Sequence, residues 1–217
     1  MSQGKTHMLP LTELHQTLAP RFRSHHITLE LINSTVSAAN PNTPTPSLTY
    51  MRPLNEARAV ERLMGREGDK IDMRRHPVIE IRPLGTGFAM EMILTPDAWF
   101  YQQNFIGKLS IERHLSAFHK LICGLSEDFR LGFWQGLYLD DMHLTPKFLN
   151  HRVVLENWMS TYCDGRDYFR VGVWTDSEIY PREALSVIEQ LNKVYAFIAW
   201  TGSNDFRAFY RGAYAAV

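Results

Sequence analysis

The chain has 217 residues, 45% of them hydrophobic and 12% aromatic, and its 23 basic side chains balance 23 acidic ones. At about 150 residues per domain this is one domain or a small pair, long enough to bury roughly 70% of its unfolded surface without a disulfide or metal staple. The apolar content, with 13 Gly and 11 Pro, excludes disorder and coiled coil, and the zero net charge argues against duplex nucleic acid as a partner, because phosphate neutralisation supplies most of such affinity.

Leu11, Leu14 and Leu18 have helical spacing, and Ile27, Leu29 and Leu31 then alternate with polar residues as a strand does. Residues 37–49 hold Pro41, Pro44 and Pro46 among Ser, Asn and Thr. Three missing backbone donors predict a loop or linker, and with it the one boundary in the chain. A less regular segment, 1–50, precedes a main domain, 51–217, the whole most simply forming one compact unit. After Pro53, the spacing of Leu54, Ala57, Val60, Leu63 and Met64 predicts a helix that Gly65 ends. Strand-like runs at 78–82 and 88–94 flank Pro83-Leu84-Gly85-Thr86-Gly87, a hairpin connection whose glycines suit positive φ. Charges on this hairpin, Glu80, Arg82 and Glu91, are expected to pair across strands on its wetter face. Thr95-Pro96-Asp97 then opens a helix carrying Trp99, Phe100, Phe105 and Ile106, and a second helix from Ser110 buries Ile111, Leu115, Phe118 and Ile122.

The second half contains an internal similarity. Phe129-Arg130-Leu131-Gly132-Phe133-Trp134 recurs as Phe169-Arg170-Val171-Gly172-Val173-Trp174. Both runs alternate, placing Arg, Gly and Trp on one strand face. Each leads through an acidic loop, Asp140-Asp141-Met142-His143 or Asp176-Ser177-Glu178, to a proline-started segment at Pro146 or Pro181. The helix after Pro146 is expected to present Phe148, Val153, Leu155, Trp158 and Met159. The pattern predicts an α+β or α/β fold: a mixed sheet flanked by helices, with two tandem strand–loop–helix units. The connection between the repeated strands contains a helix, so it predicts sheet neighbours joined by a right-handed crossover, hence parallel. Asp205 as N-cap, with Phe206, Phe209, Tyr210 and Tyr214 on one side, predicts a C-terminal helix docked on its own domain or joining a homo-oligomer.

No phosphate loop, nucleophile elbow, His-Glu-x-x-His or Cys-x-x-Cys is present. Two surfaces carry chemistry. On the strand face of Arg130, Trp134, Arg170 and Trp174, each glycine leaves a shallow gap beside an indole. A planar ligand, base or peptide could stack there while a guanidinium holds an anion, unless helices cover the face and the indoles fill the core. If the repeated strands are parallel, Asp140, Asp141, His143, Asp176 and Glu178 emerge at one sheet edge as hard ligands for a divalent metal, with His143 as proton carrier; the competing reading is helix-start capping. His119 and Cys123 share a helix face, and with His151 and Cys163 form a remote zinc alternative.

These readings give a ligand- or partner-binding domain as the leading function, a metal-dependent hydrolase on the acidic loops as the alternative, and single-stranded nucleic-acid binding on the Arg/Trp face as a third. Two cysteines, nine methionines and no apolar core in residues 1–7 suit a cytoplasmic protein. The longest apolar run, 194–200, is far short of the roughly 20 residues that span a membrane.

Overall fold

The computed structural model describes residues 10–32, 36–66 and 70–206. Among these, six α-helices accompany a six-stranded sheet and a two-stranded hairpin, which is the expected α+β class. The chain order is α1 (Leu11–Ser24), β1 (Glu30–Ile32), β2 (Val36–Ser37), β3 (Asn40–Pro44), β4 (Leu48–Met51), α2 (Leu54–Leu63), β5 (Val78–Pro83), β6 (Phe88–Leu94), α3 (Trp99–Leu109), α4 (Glu112–Cys123), β7 (Arg130–Gly132), α5 (Arg152–Met159), β8 (Phe169–Thr175) and α6 (Pro181–Ile198). The large sheet runs β1-β4-β5-β6-β8-β7, and β2 pairs with β3. Every ladder is antiparallel.

The helical face of the sheet follows from strand alternation. Tyr50, Ile79, Ile81, Met90, Met92, Phe169 and Val171 point to one side, where they pack with the buried stripe of α6 (Leu185, Ile188, Leu191, Val194, Ile198). Leu14 and Leu18 of α1, Phe105 of α3 and Phe118 of α4 complete this core. Arg52 joins the end of β4 to α6: its backbone N–H donates to Tyr195 Oη at 2.8 Å, and its Nη2 donates to the Trp200 carbonyl at 2.8 Å.

The opposite face is covered mainly by non-helical chain, and here several expectations are corrected. Residues 37–49 are not a linker. They form the β2–β3 hairpin and lead into β4, which pairs with both β1 and β5. Pro44 stands opposite Val36 at the end of β3, a strand with a ladder on one side only, where a proline is tolerated. The β5–β6 turn uses no positive φ at Gly85 or Gly87. Gly87 is required by space instead, since a Cβ there would stand 1.8 Å from the Thr175 carbonyl oxygen. The segment after Pro146 makes only a short 3-10 turn before α5 begins at Arg152. Leu155 is buried and Trp158 and Met159 pack against the core as expected, whereas Phe148 and Val153 are exposed and Leu149 takes the buried place in the 3-10 turn. The expectation of a docked C-terminal helix falls on residues beyond Phe206, which lie outside the described ones. No described helix is long and apolar enough to cross a membrane.

The two repeated strands are neighbours, with Gly132 opposite Arg170 and Arg130 opposite Gly172, so both glycines share a face. They run antiparallel, which overturns the crossover expected from the connection. The chain reverses soon after β7, through Gly136 at φ +118°, and Leu144 returns to bridge Leu131.

Candidate functional site

The non-helical face of the sheet carries Glu80 and Arg82 from β5, Glu91 from β6 and Arg170 from β8, all fully buried. Arg170 grips Glu91 with two bonds, Nε to Oε2 at 2.5 Å and Nη2 to Oε1 at 2.6 Å. Arg82 Nη1 donates to Glu91 Oε1, and to Glu80 Oε1 at 3.2 Å. Two carboxylates and two guanidinium groups thus form one network that, with both charges of each sign ionised, sums to zero. Such a network is tolerated inside a protein only when its remaining donors and acceptors are also satisfied.

Its further partners lie in the two segments covering this face, and Arg82 Nε alone of the four side chains' polar atoms is left without one. Arg170 Nη1 donates to the Gly136 carbonyl at 2.7 Å, and Arg82 Nη2 donates to the Leu137 carbonyl. Glu80 accepts from Ser37 Oγ, and from the Ala38 backbone N–H at 2.8 Å. The quartet therefore fastens both the β2–β3 hairpin and the loop after β7 onto the sheet. Burial pushes the Glu80 carboxyl above its ordinary range, against the nearby Arg82 charge. The expectation of a wet face is corrected: these cross-strand charges are fully buried.

The strand face proposed for ligand stacking is filled by the protein itself. A Cβ at Gly132 would stand 2.2 Å from the Trp134 ring, and one at Gly172 would stand 2.4 Å from Glu91 Cβ. The glycine gaps hold an indole and a glutamate. Trp134 lies over the Arg170 guanidinium at 4.7 Å, Trp174 lies 5.6 Å from it, and the two indoles are 5.5 Å apart. Trp134 Nε1 donates to the Tyr138 carbonyl at 2.9 Å. Arg130 is not part of this group. It is half-buried and donates to the carbonyls of Glu127 and Phe129 at 2.8 Å each. Three of the four candidate residues come together, but Arg170 is inaccessible to a base or an anion.

The acidic loops do not meet. Because β7 and β8 are antiparallel, the chain leaving Gly132 departs beside Arg170, whereas Asp176 and Glu178 follow the other end of β8. Asp140 Oδ1 accepts from the Met142 backbone N–H at 2.7 Å, the His143 ring lies 2.6 Å from the Asp140 carbonyl, and Asp176 accepts from the Thr86 hydroxyl at 3.2 Å. Asp141 is exposed. His119 Nε2 lies 3.4 Å from Cys123 Sγ and 2.9 Å from the Asn150 carbonyl. His151 leads into α5, and Cys163 holds Asp167 through its backbone N–H at 3.0 Å. No three His, Cys, Asp or Glu side chains among the described residues stand together as a metal-holding group.

A different cleft has the anatomy of a binding site. Leu63 and Met64 at the end of α2, Trp99, Phe100, Gln103 and Asn104 of α3, and Trp200, Gly202, Asp205 and Phe206 after α6 line a groove of about 810 Å³. Its walls are fixed from behind. Arg52 holds the Trp200 carbonyl, and Asn204 Nδ2 donates to the Ala199 carbonyl at 2.8 Å. The Phe206 backbone N–H donates to Asn104 Oδ1 at 2.9 Å, and its ring lies where a Cβ at Gly107 would be 2.5 Å away. With Oδ1 taken, the Asn104 amide turns its Nδ2 elsewhere. This buried donor has no hydrogen-bond partner, and neither does the buried Trp200 Nε1. They are two of nine buried side-chain polar atoms without a protein partner among the described residues. Sequence reading assigned Trp99 and Phe100 to a helix face and Trp200 to the end of an apolar run. The remaining signal, a Trp-Phe pair opening a helix, is too common to identify a site. No protein family, curated protein or solved structure matches the chain.

Proposed function

We propose that the chain is a binding domain for a small organic ligand, and that its site is the aromatic groove between α2, α3 and residues 200–206. The observation that carries this reading is the lining itself, in which Trp99, Phe100, Trp200 and Phe206 stand with the amides of Gln103 and Asn104 around one groove. The groove's volume of about 810 Å³ matches that of small-molecule sites, as does its lining of aromatic side chains with a few convergent polar groups. Trp99, 40% exposed at the rim, is the wall a ligand would cover.

The test is a titration of the full chain with the neutral, environment-sensitive dye N-phenyl-1-naphthylamine. The expected result is a saturable rise in fluorescence that is lost in Trp99→Ala, while the thermal midpoint of that variant stays close to that of the parent. Equal dye binding by both proteins would remove the groove as the site.

A further inference from the structure

We infer that the open edge of the large sheet at β1 takes an extended peptide as an added strand, with the peptide's C-terminal carboxylate held by Arg23 and His26. This surface is separate from the aromatic groove and goes beyond the function proposed for it. The sheet has two edges, β1 and β7. At β7 the chain closes the edge itself, since Leu144 bridges to Leu131 through backbone hydrogen bonds of 2.8 and 2.9 Å. Strand β1 pairs with β4 on one side and, among the described residues, has no strand on the other. Such an edge presents a row of backbone donors and acceptors to an extended chain, which can add to the ladder.

A groove of about 560 Å³ lies between α1 and residues 26–31. Phe22, Ile27, Leu29 and Tyr50 give it apolar surface for alternate side chains of an added strand, and Ala19 keeps the α1 wall low. Charge selects the occupant. The basic side chains of the lining are His15, Arg23 and His26. His15 Nδ1 lies 3.0 Å from Tyr50 Oη, whereas the Arg23 and His26 side chains have no hydrogen-bond or ion-pair partner among the described residues. The one carboxylate of the lining, Glu30, accepts from the Leu54 backbone N–H at 3.3 Å, and Glu189, which reaches this turn from α6, is engaged by His25. The α1–β1 turn sets both anchors: the Ile27 N–H donates to the Phe22 carbonyl at 2.9 Å, the His26 N–H to the Arg23 carbonyl at 3.3 Å, and His26 takes a φ of +55° where glycine is usual. A strand added antiparallel to β1, as every other ladder in the sheet runs, ends beside the start of β1, where Arg23 and His26 stand. Its terminal carboxylate then meets a guanidinium whose fork matches it.

The experiment follows the fluorescence polarisation of the peptide dansyl-Thr-Val-Thr-Val, with a free C-terminus, on the full chain at low salt. Saturable binding is expected, at least tenfold weaker for the C-terminal amide of the same peptide and for Arg23→Gln, which is about 1.4 kcal/mol. Arg23 is exposed, so that variant keeps the thermal midpoint of the parent. His26→Gly suits the left-handed turn and should weaken binding without loosening the fold. Dansyl-Thr-Pro-Thr-Val or dansyl-Thr-Val-Pro-Val should bind more weakly as well, because successive residues alternate and one of the two prolines removes a ladder donor. Trp99→Ala should bind the peptide as the parent does. Equal binding of acid and amide, or indifference to Arg23→Gln, would overturn the carboxylate anchor. Full affinity in both proline peptides would overturn strand addition, and binding lost in Trp99→Ala would move the peptide to the aromatic groove. Absence of binding would overturn the inference and leave the groove's own dye titration unaffected.

Discussion

His76 offers a sharp test of how this fold responds to acid. Its ring is fully buried, with Nδ1 2.8 Å from Tyr101 Oη and Nε2 3.3 Å from Glu61 Oε1. Burial, assisted by the Arg52 and Arg75 charges and opposed by Asp72, pulls its pKa down to about 4 from the ordinary 6.5. Between those two values the unfolded chain binds a proton that the native protein does not, so stability rises with pH across this window and is lost as pH falls from about 6.5 toward 4. The full gap is worth roughly 3 kcal/mol, of which about 2 kcal/mol disappears between pH 7 and pH 5. Urea unfolding of the parent and of His76→Gln at both pH values isolates this contribution, because every carboxylate titrates in both proteins. The parent should lose about 2 kcal/mol more than the variant over this interval. Parallel losses would refute the reasoning. A parent that gains on the variant at pH 5 would show that the Glu61 contact holds the imidazolium and outweighs burial.

Two further perturbations address the other face of the sheet. Glu91→Gln should destabilise the protein by about 3–5 kcal/mol in urea unfolding, because it leaves Arg170 and Arg82 buried without their shared carboxylate. The same variant should speed amide exchange at Ala38 and Gly136, and unchanged exchange there would separate the quartet from the covering segments. Gly172→Ala should cost about 1–3 kcal/mol, since the new methyl would meet Glu91 Cβ at 2.4 Å and the Met90 carbonyl at 2.5 Å; a thermal midpoint equal to the parent's would show that β6 and β8 can move apart freely.

Elements whose signals are local were legible in the sequence. The β5–β6 hairpin, α2 ending near Gly65, and the stripe of α4 each follow from spacing within one segment. Helix α1 also continues through Pro20 to Ser24, farther than its leucine spacing extends, because Leu18 and Phe22 keep the same buried face. What could not be read is burial imposed from a distance. Glu80, Arg82 and Glu91 alternate as the polar side of a hairpin does, and nothing within residues 78–94 says that Ser37 and Leu137 will close over them. The prolines of 37–49 concealed a hairpin for the same reason, since its stability comes from the sheet face beneath it. The aromatic groove joins α3 to Trp200, about a hundred residues away, through contacts with Arg52 and Asn104 that carry no pattern in the sequence.

The repeated hexapeptide shows how one local pattern serves two physical ends. In both copies, glycine removes a side chain from the same sheet face. At Gly132 the space takes the Trp134 ring of the same strand, and at Gly172 it takes Glu91 of the adjacent one. The arginines divide likewise: Arg170 is clamped by Glu91 beneath Trp134, whereas Arg130, at the edge of the sheet, turns to the carbonyls of its own turn. The difference is position, because β8 lies between β6 and β7 and has neighbours on both sides, while β7 is an edge strand of three residues. An arginine flanked on both sides must be paired to be buried at all, and the only carboxylate opposite that face of β8 is Glu91. The antiparallel register therefore decides both outcomes together: it brings Gly132 against Arg170, lets Trp134 close over the ion pair, and separates the acidic loops that a parallel arrangement would have joined.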